Sequence, residues 1–382
     1  MKRHSKLLII LFAASLFAGC NNKPQNGFKE YYSSLNQIKE GVFSNEKLRI
    51  LELNSDLFKI DTIYRSMKGP ISEKEIFLAD SGDIVWLTGY NVKVFDTLNN
   101  PLPLDFVCHN NLNLGDSRNF PWHPGNWNYY NRVFTLTQGI TNVNLPDGFG
   151  IPLPAEQALK VVFQALNHNL PNLDTNIYQQ VEIKYFKDSE IDFKLKPLYH
   201  HNIWLVKQYA GAPGKFGTPV PDDYQVEDST KIIYTDAQQP SCGIDELANN
   251  QALFLDYFWD NKGRKYTGHW KVPPGEEYLE FDATLLLNFQ KENLKVHYFN
   301  AHIHPFCEYL EMYDETADEI IYKASVINTE GKTGVASISE LASIDGVTLY
   351  HDHSYLLRSK YNNTTQDTLS AMSVIYLFMG YN

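Results

Sequence analysis

The chain has 382 residues, a formal net charge of −12 and 14% aromatic residues, 24 of them Tyr and 22 Phe. An acidic chain with no basic block is a poor partner for nucleic acid, so nucleic-acid binding is set aside. Aromatic richness favours β-rich packing, or exposed rings that stack on ligands.

The chain begins "MKRHSKLLIILFAASLFAGC". Lys2, Arg3 and Lys6 precede an apolar run from Leu7 to Ala18. At about a dozen residues the run is too short for an ordinary spanning helix and has the pattern of a bacterial secretion signal. Small residues before Cys20, with Phe17 where Leu is more usual, resemble the lipobox of bacterial lipoproteins. That resemblance implies a signal over 1–20, lipid modification of Cys20, and anchorage to a bacterial membrane, with the outer membrane expected. No later apolar run is long enough to span a bilayer, so membrane contact is expected through the lipid alone. The other cysteines are Cys108, Cys242 and Cys307; three cannot all pair with one another, so at least one thiol is free.

Residues 21–45 are polar, lack a strong period and read as a tether. From about Leu48, short apolar or alternating runs such as "DIVWLTGYNVKVFD", "LDFVCHNNLNL" and "QQVEIKYFKD" are broken by turn residues. The spacing predicts antiparallel β-sandwich architecture over 46–205. "PAEQALKVVFQALNHN" suits a helix in composition, while its centre also suits a buried strand, and period alone does not arbitrate. A stretch rich in Gly, Pro and Asp, 206–255, reads as a connection, and a second β-rich block fills 256–382. The fold class expected is all-β, with two consecutive jelly-roll-like antiparallel β-sandwich domains.

The chemistry-bearing residues are histidines. In "YFNAHIHPFC", His302 and His304 are two apart, so on a strand they face the same way. Imidazole suits copper, zinc and iron, and thioether sulfur favours Cu(I). Met372, on the last predicted strand, adds a thioether to the pair if the strands are neighbours, although Met on an apolar strand is usually core filling. His109 stands beside Cys108, on the opposite face of a regular strand, and His168 ends an apolar run. His351 and His353 form a second same-face pair. His123, His200 and His201 are left unplaced, adjacent or Pro-flanked histidines in loops usually being surface features.

"HWKVPPGEEYLEFDATLLLNFQKENLKVHYFNAHIHPF" resembles the opening of the catalytic second domain of the copper type II, ascorbate-dependent monooxygenases. These include the peptidylglycine and dopamine-type hydroxylases. "TLSAMSVIYLFMGY" resembles that family's closing strand, on which Tyr376 also falls at a Tyr position. "NRVFTLTQGITNVNLPDGFGIPL", "KVVFQALNHNL" and "DFVCHNNLNL" resemble first-domain segments, so the likeness covers roughly 85–200 and 255–382 in order. The resemblance implies two coppers facing each other across a solvent-filled cleft. His302, His304 and Met372 would hold the oxygen-activating copper, with Tyr376 beside it. His109 and His168 would hold the electron-transfer copper, with Cys108 or His123 a substitute for a missing imidazole. It also implies O₂, a reductant such as ascorbate, and hydroxylation of a C–H bond in an unknown small-molecule or peptide-like substrate.

The departures are specific. One residue of the family's adjacent His pair is missing around Cys108-His109-Asn110, and Asn300 stands where peptide-amidating members carry Arg. Leu166 replaces a Gln, and the family's disulfides are lacking. Two alternatives stand beside the oxygenase reading. One is a non-catalytic copper-binding or trafficking lipoprotein; the other is a glycan-binding structural lipoprotein on the same fold.

Overall fold

A computed structural model describes residues 39–66, 68–80, 82–115, 132–208, 266–287 and 292–380. Cys20, His123, Cys242, the signal, most of the tether and all but the first residues of the connection lie outside them. The described chain is nearly all β and folds as jelly-roll-like antiparallel sandwiches. None of its helices is long and apolar enough to cross a membrane.

The first half sets a four-stranded sheet against the near end of a large one. The small sheet runs Ile71–Ile76, Leu159–Ala165, Val107–Leu114, Arg132–Thr137. The large sheet begins Arg49–Asn54, Thr175–Lys187, Ile84–Asp96, Phe149–Pro154. Phe134 stacks on Tyr90 between them, with centroids 6.0 Å apart. The segment whose sequence left helix and strand open is a strand at Leu159–Ala165. Its neighbours decide the matter, because it is hydrogen-bonded on both sides by Ile71–Ile76 and Val107–Leu114.

The second half repeats the plan. Ser373–Gly380, Leu294–Ile303 and Leu341–Leu349 face a five-stranded sheet in the order Gly275–Asp282, Tyr355–Asn363, Cys307–Asp314, Glu319–Asn328, Val335–Ile338. Phe299 stacks on Tyr322 across that gap.

The halves share backbone. Lys196–Trp204, from the first half, pairs antiparallel with Ser373–Gly380, the closing strand of the second, over seven residues from Leu198↔Gly380 to Trp204↔Val374. The large sheet therefore runs through both sandwiches, and one apolar core spans them. Further ties lie at the turn after Arg132–Thr137. Gly139 has φ +83°, and a Cβ there would meet Val335 and Ile338 side chains within 3 Å, so the turn needs glycine both for conformation and for closeness. The Ile338 N–H donates to Gly139 O, and the Val335 N–H to Gln138 Oε1.

Burial separates two kinds of strand. Leu159–Ala165 and Thr175–Lys187 largely alternate, as strands with one covered face do. Val107–Leu114, Arg132–Thr137 and Ser373–Gly380 are buried at every position. Leu294–Ile303 is buried from Val296 onward. These doubly covered strands flank the seam between the halves, and they carry the histidines.

Candidate metal centre

His302 lies on Leu294–Ile303, cross-strand from Val374, and His304 follows one residue past the strand end. His109 lies on Val107–Leu114, flanked by Thr137 and Gln164. The sandwiches bring these together: His109 Nε2 is 3.4 Å from His302 Nε2, and the rings are 4.9 Å apart at 61°. His304 comes next, 5.5 Å ring to ring from His302, and His269 lies 5.8 Å from His304. Four imidazoles from three segments form a chain across the seam.

The environment keeps them neutral. Burial pushes His109 and His302 well below the ordinary imidazole range, and neighbouring positive charge from Arg132 and the other rings adds to it. His304 is lowered to about 4 and His269 to about 3, burial again leading. Neutral imidazole is the form that ligates metals. His304 Nδ1 donates to the Ser370 carbonyl at 3.0 Å, which leaves Nε2 as its lone-pair nitrogen. Nε2 of His304 and Nδ1 of His302 are buried without a hydrogen-bond partner among the described residues.

Several expectations need correction. Two coppers on opposite sides of a solvent-filled cleft would keep His109 apart from His302, yet here the two rings touch and are buried. The shared strand pairing and the common core close the space between the halves. Cys108 is not turned away from His109, because its sulfur lies 3.1 Å from His109 Nδ1. His200 and His201, unplaced from the sequence, are both buried within Lys196–Trp204, His201 Nε2 within 2.6 Å of Leu286 O. His351 and His353 are not a same-face strand pair. They occupy a turn, His351 Nδ1 on Asn293 Oδ1 and His353 Nδ1 on Asp314 Oδ2 at 2.6 Å.

The other predicted residues fall as follows. Met372 is fully buried, and its carbonyl accepts from the Tyr361 hydroxyl at 2.6 Å. Ile303 pairs with Ser373, and His304 and Met372 are the residues next to that last pair in sequence. Tyr376 is buried between Asn300 and Asn202 on the neighbouring strands. His168 is lowered to about 4 by burial, with Arg65 a second cause, and its Nδ1 has no partner among the described residues. It adds to the field at His304. Cys108 and Cys307 are both buried and neither is in a disulfide. His269 was not singled out from the sequence; it sits in "GHWKVPPGEE", next to the fully buried Trp270, and its position at the head of that motif was the available signal.

Whether these residues suit a metal has a divided answer. Two imidazole nitrogens 3.4 Å apart match two ligands on one ion with metal–nitrogen lengths of about 2.0–2.1 Å. Among the described residues, however, no three His, Cys, Asp or Glu side chains converge on a single point. The pair is assembled, and the third imidazole is one ring away.

No family model matches the sequence, and no curated protein does. Solved structures share the broad architecture at low similarity. PNGase F, a glycosylasparaginase from Flavobacterium meningosepticum, has TM-score 0.35 and 8% identity, covering 87% of this chain and 97% of its own. A peptide-N(4)-(N-acetyl-beta-D-glucosaminyl) asparagine amidase has TM-score 0.32 and 9% identity at the same coverage. The STIV MCP has TM-score 0.27 and 8% identity, covering 87% and 96%. At these scores the likenesses carry no inference about chemistry.

Proposed function

We propose that the protein binds one transition-metal ion, copper foremost, at the seam between its sandwiches, with His109 and His302 as the founding ligands. The observation that supports this is the 3.4 Å approach of two buried imidazole nitrogens from opposite halves of the chain. His304 supplies the third imidazole through Nε2, its ring oriented by the Ser370 carbonyl. Met372, next in sequence to the Ser373 that pairs with Ile303, offers the thioether that favours Cu(I) over zinc. Cys108 holds the far side of the His109 ring, as outer partners of metal-ligating imidazoles do.

When bound, copper would supply one-electron redox chemistry. The chain's own residues would orient it, keep its imidazoles neutral and exclude bulk water. Monooxygenase activity, with O₂ and a reductant such as ascorbate, rests on the sequence resemblance; metal binding rests on the geometry as well. Lipid anchorage through Cys20 to a bacterial membrane belongs to the same proposal.

Anaerobic Cu(I) titration of the purified chain tests the reading. One equivalent is expected to bind, with selective loss of Cu(I) over Cu(II) affinity in Met372→Ile. Absence of stoichiometric copper in the wild-type chain would sink it. Reductant-dependent O₂ consumption by the copper-loaded protein then separates an oxygenase from a carrier.

A further inference from the structure

Among the described residues, the seam holds more hydrogen-bonding capacity than is used. Asn111 Oδ1, Thr135 Oγ1, Asn300 Oδ1, His302 Nδ1 and His304 Nε2 are all buried without a hydrogen-bond partner among the described residues. Buried polar atoms are ordinarily satisfied by protein, water or ligand, so these atoms leave hydrogen bonds for ordered water or a ligand to make.

They are not scattered. Asn111 and His109 are two apart on one strand and share a face. Thr135 is the cross-strand partner of Asn111 and joins that face. Asn300 and His302 share a face of Leu294–Ile303 by the same spacing. The two faces meet where His109 touches His302.

The kind of atom exposed says what the occupant must bring. Asn111 Oδ1 and Asn300 Oδ1 only accept hydrogen bonds. Thr135 donates or accepts. A carboxylate or phosphate would bring lone pairs against these acceptors, and an organic cation would stand in the field of the buried Arg132, whose positive charge acts on His109 and His302. A neutral molecule with several hydroxyl groups supplies donors in the required number. The Tyr376 ring, cross-strand from Asn300, offers an apolar surface beside them.

We infer that the seam binds a neutral polyhydroxylated small molecule, of the sugar or cyclitol type, against Asn111, Thr135 and Asn300 beside the His109–His302 pair. The inference rests on the metal reading for its placement next to a reactive ion, and not for the three polar contacts.

Calorimetry on the full chain tests it, with D-glucose, N-acetylglucosamine and myo-inositol as neutral probes and D-gluconate and glucose 6-phosphate as anionic controls. At least one neutral probe is expected to bind tighter than about 1 mM, at one site per chain. Thr135→Val and Asn300→Leu should each weaken that binding about tenfold, with an unliganded Tm unchanged or raised, since each removes an unsatisfied buried polar atom. The inference is overturned if no neutral probe binds, which is the result if ordered water alone fills the site. It is also overturned if the anionic controls bind as well as the neutral probes, or if the variants lower Tm and leave affinity unchanged. Copper titration of the same preparation separates the two ideas. Sugar binding without copper uptake defeats the metal reading alone, and copper uptake without sugar binding defeats this one alone.

Discussion

Two stretches of this chain carry the same H-x-H spacing and end in opposite situations. His302 and His304 lie at the buried end of a strand covered on both faces, and His302 meets an imidazole from the other sandwich. His351 and His353 sit in a turn, where one binds an asparagine and the other pairs with a buried aspartate. Spacing provides two imidazoles in each case. What differs is the rest of the surroundings: the seam has nitrogen neighbours and low-dielectric walls, while the turn has oxygen neighbours and water. A histidine motif therefore becomes a metal candidate through what packs against it.

The largest expected difference between the two pairs is in metal affinity. His302→Ala should weaken Cu(I) binding by roughly a hundredfold or more, whereas the double variant His351→Ala/His353→Ala should bind as the wild type does. Competition titration against a Cu(I) chelator reads both, and equal losses in the two would erase the distinction.

Acid should act mainly through the seam. Its imidazoles take up protons near 6.5 in the unfolded chain but only near 4 for His304 and 3 for His269 in the folded one. Between those values the unfolded state binds more protons, so stability is lost as pH falls from about 6.5 toward 4. The slope is at most about 1.4 kcal/mol per pH unit for each such histidine. Urea unfolding of chelator-treated protein at several pH values measures it. His304→Gln should flatten the slope, and an unchanged slope would show that His304 is not held neutral.

A smaller effect is expected from the ring's outer partner. Cys108→Ser replaces the sulfur against His109 Nδ1 and should weaken copper binding by about tenfold. A loss as large as that of His302→Ala would instead make Cys108 a direct ligand. At the turn, His353→Ala breaks the pair with Asp314, and a stability change of about 1 kcal/mol is expected in urea unfolding, with His351→Ala within about 0.5 kcal/mol. A multi-kcal/mol loss at His351 would contradict its exposed place.

Much of the fold was legible. Alternating runs broken by turn residues gave antiparallel sandwiches because one covered face per strand imposes a two-residue period, as Thr175–Lys187 shows. Strands buried on both faces, such as Val107–Leu114, show no such period and were legible only as runs bounded by turn residues, with no face to assign. His200 and His201 could not be placed within their run for that reason: a doubly covered strand shows no alternation that tells a buried face from an exposed one. At the site, His302 with His304 stood out by spacing. His269 did not, because its neighbours in space lie more than thirty residues away along the chain, as His304 does.

By itself the sequence determined the strands, their pairing type and the faces on which His109, His302 and His304 lie, because these follow from local chemistry and a two-residue repeat. Only the tertiary structure decided that His109 and His302 meet. That contact joins residues 193 positions apart, and it depends on one strand of the first sandwich being paired to the last strand of the second. Local periodicity carries no information about which face of one sheet is laid against another. Packing of the shared core settles that, and with it the candidate site.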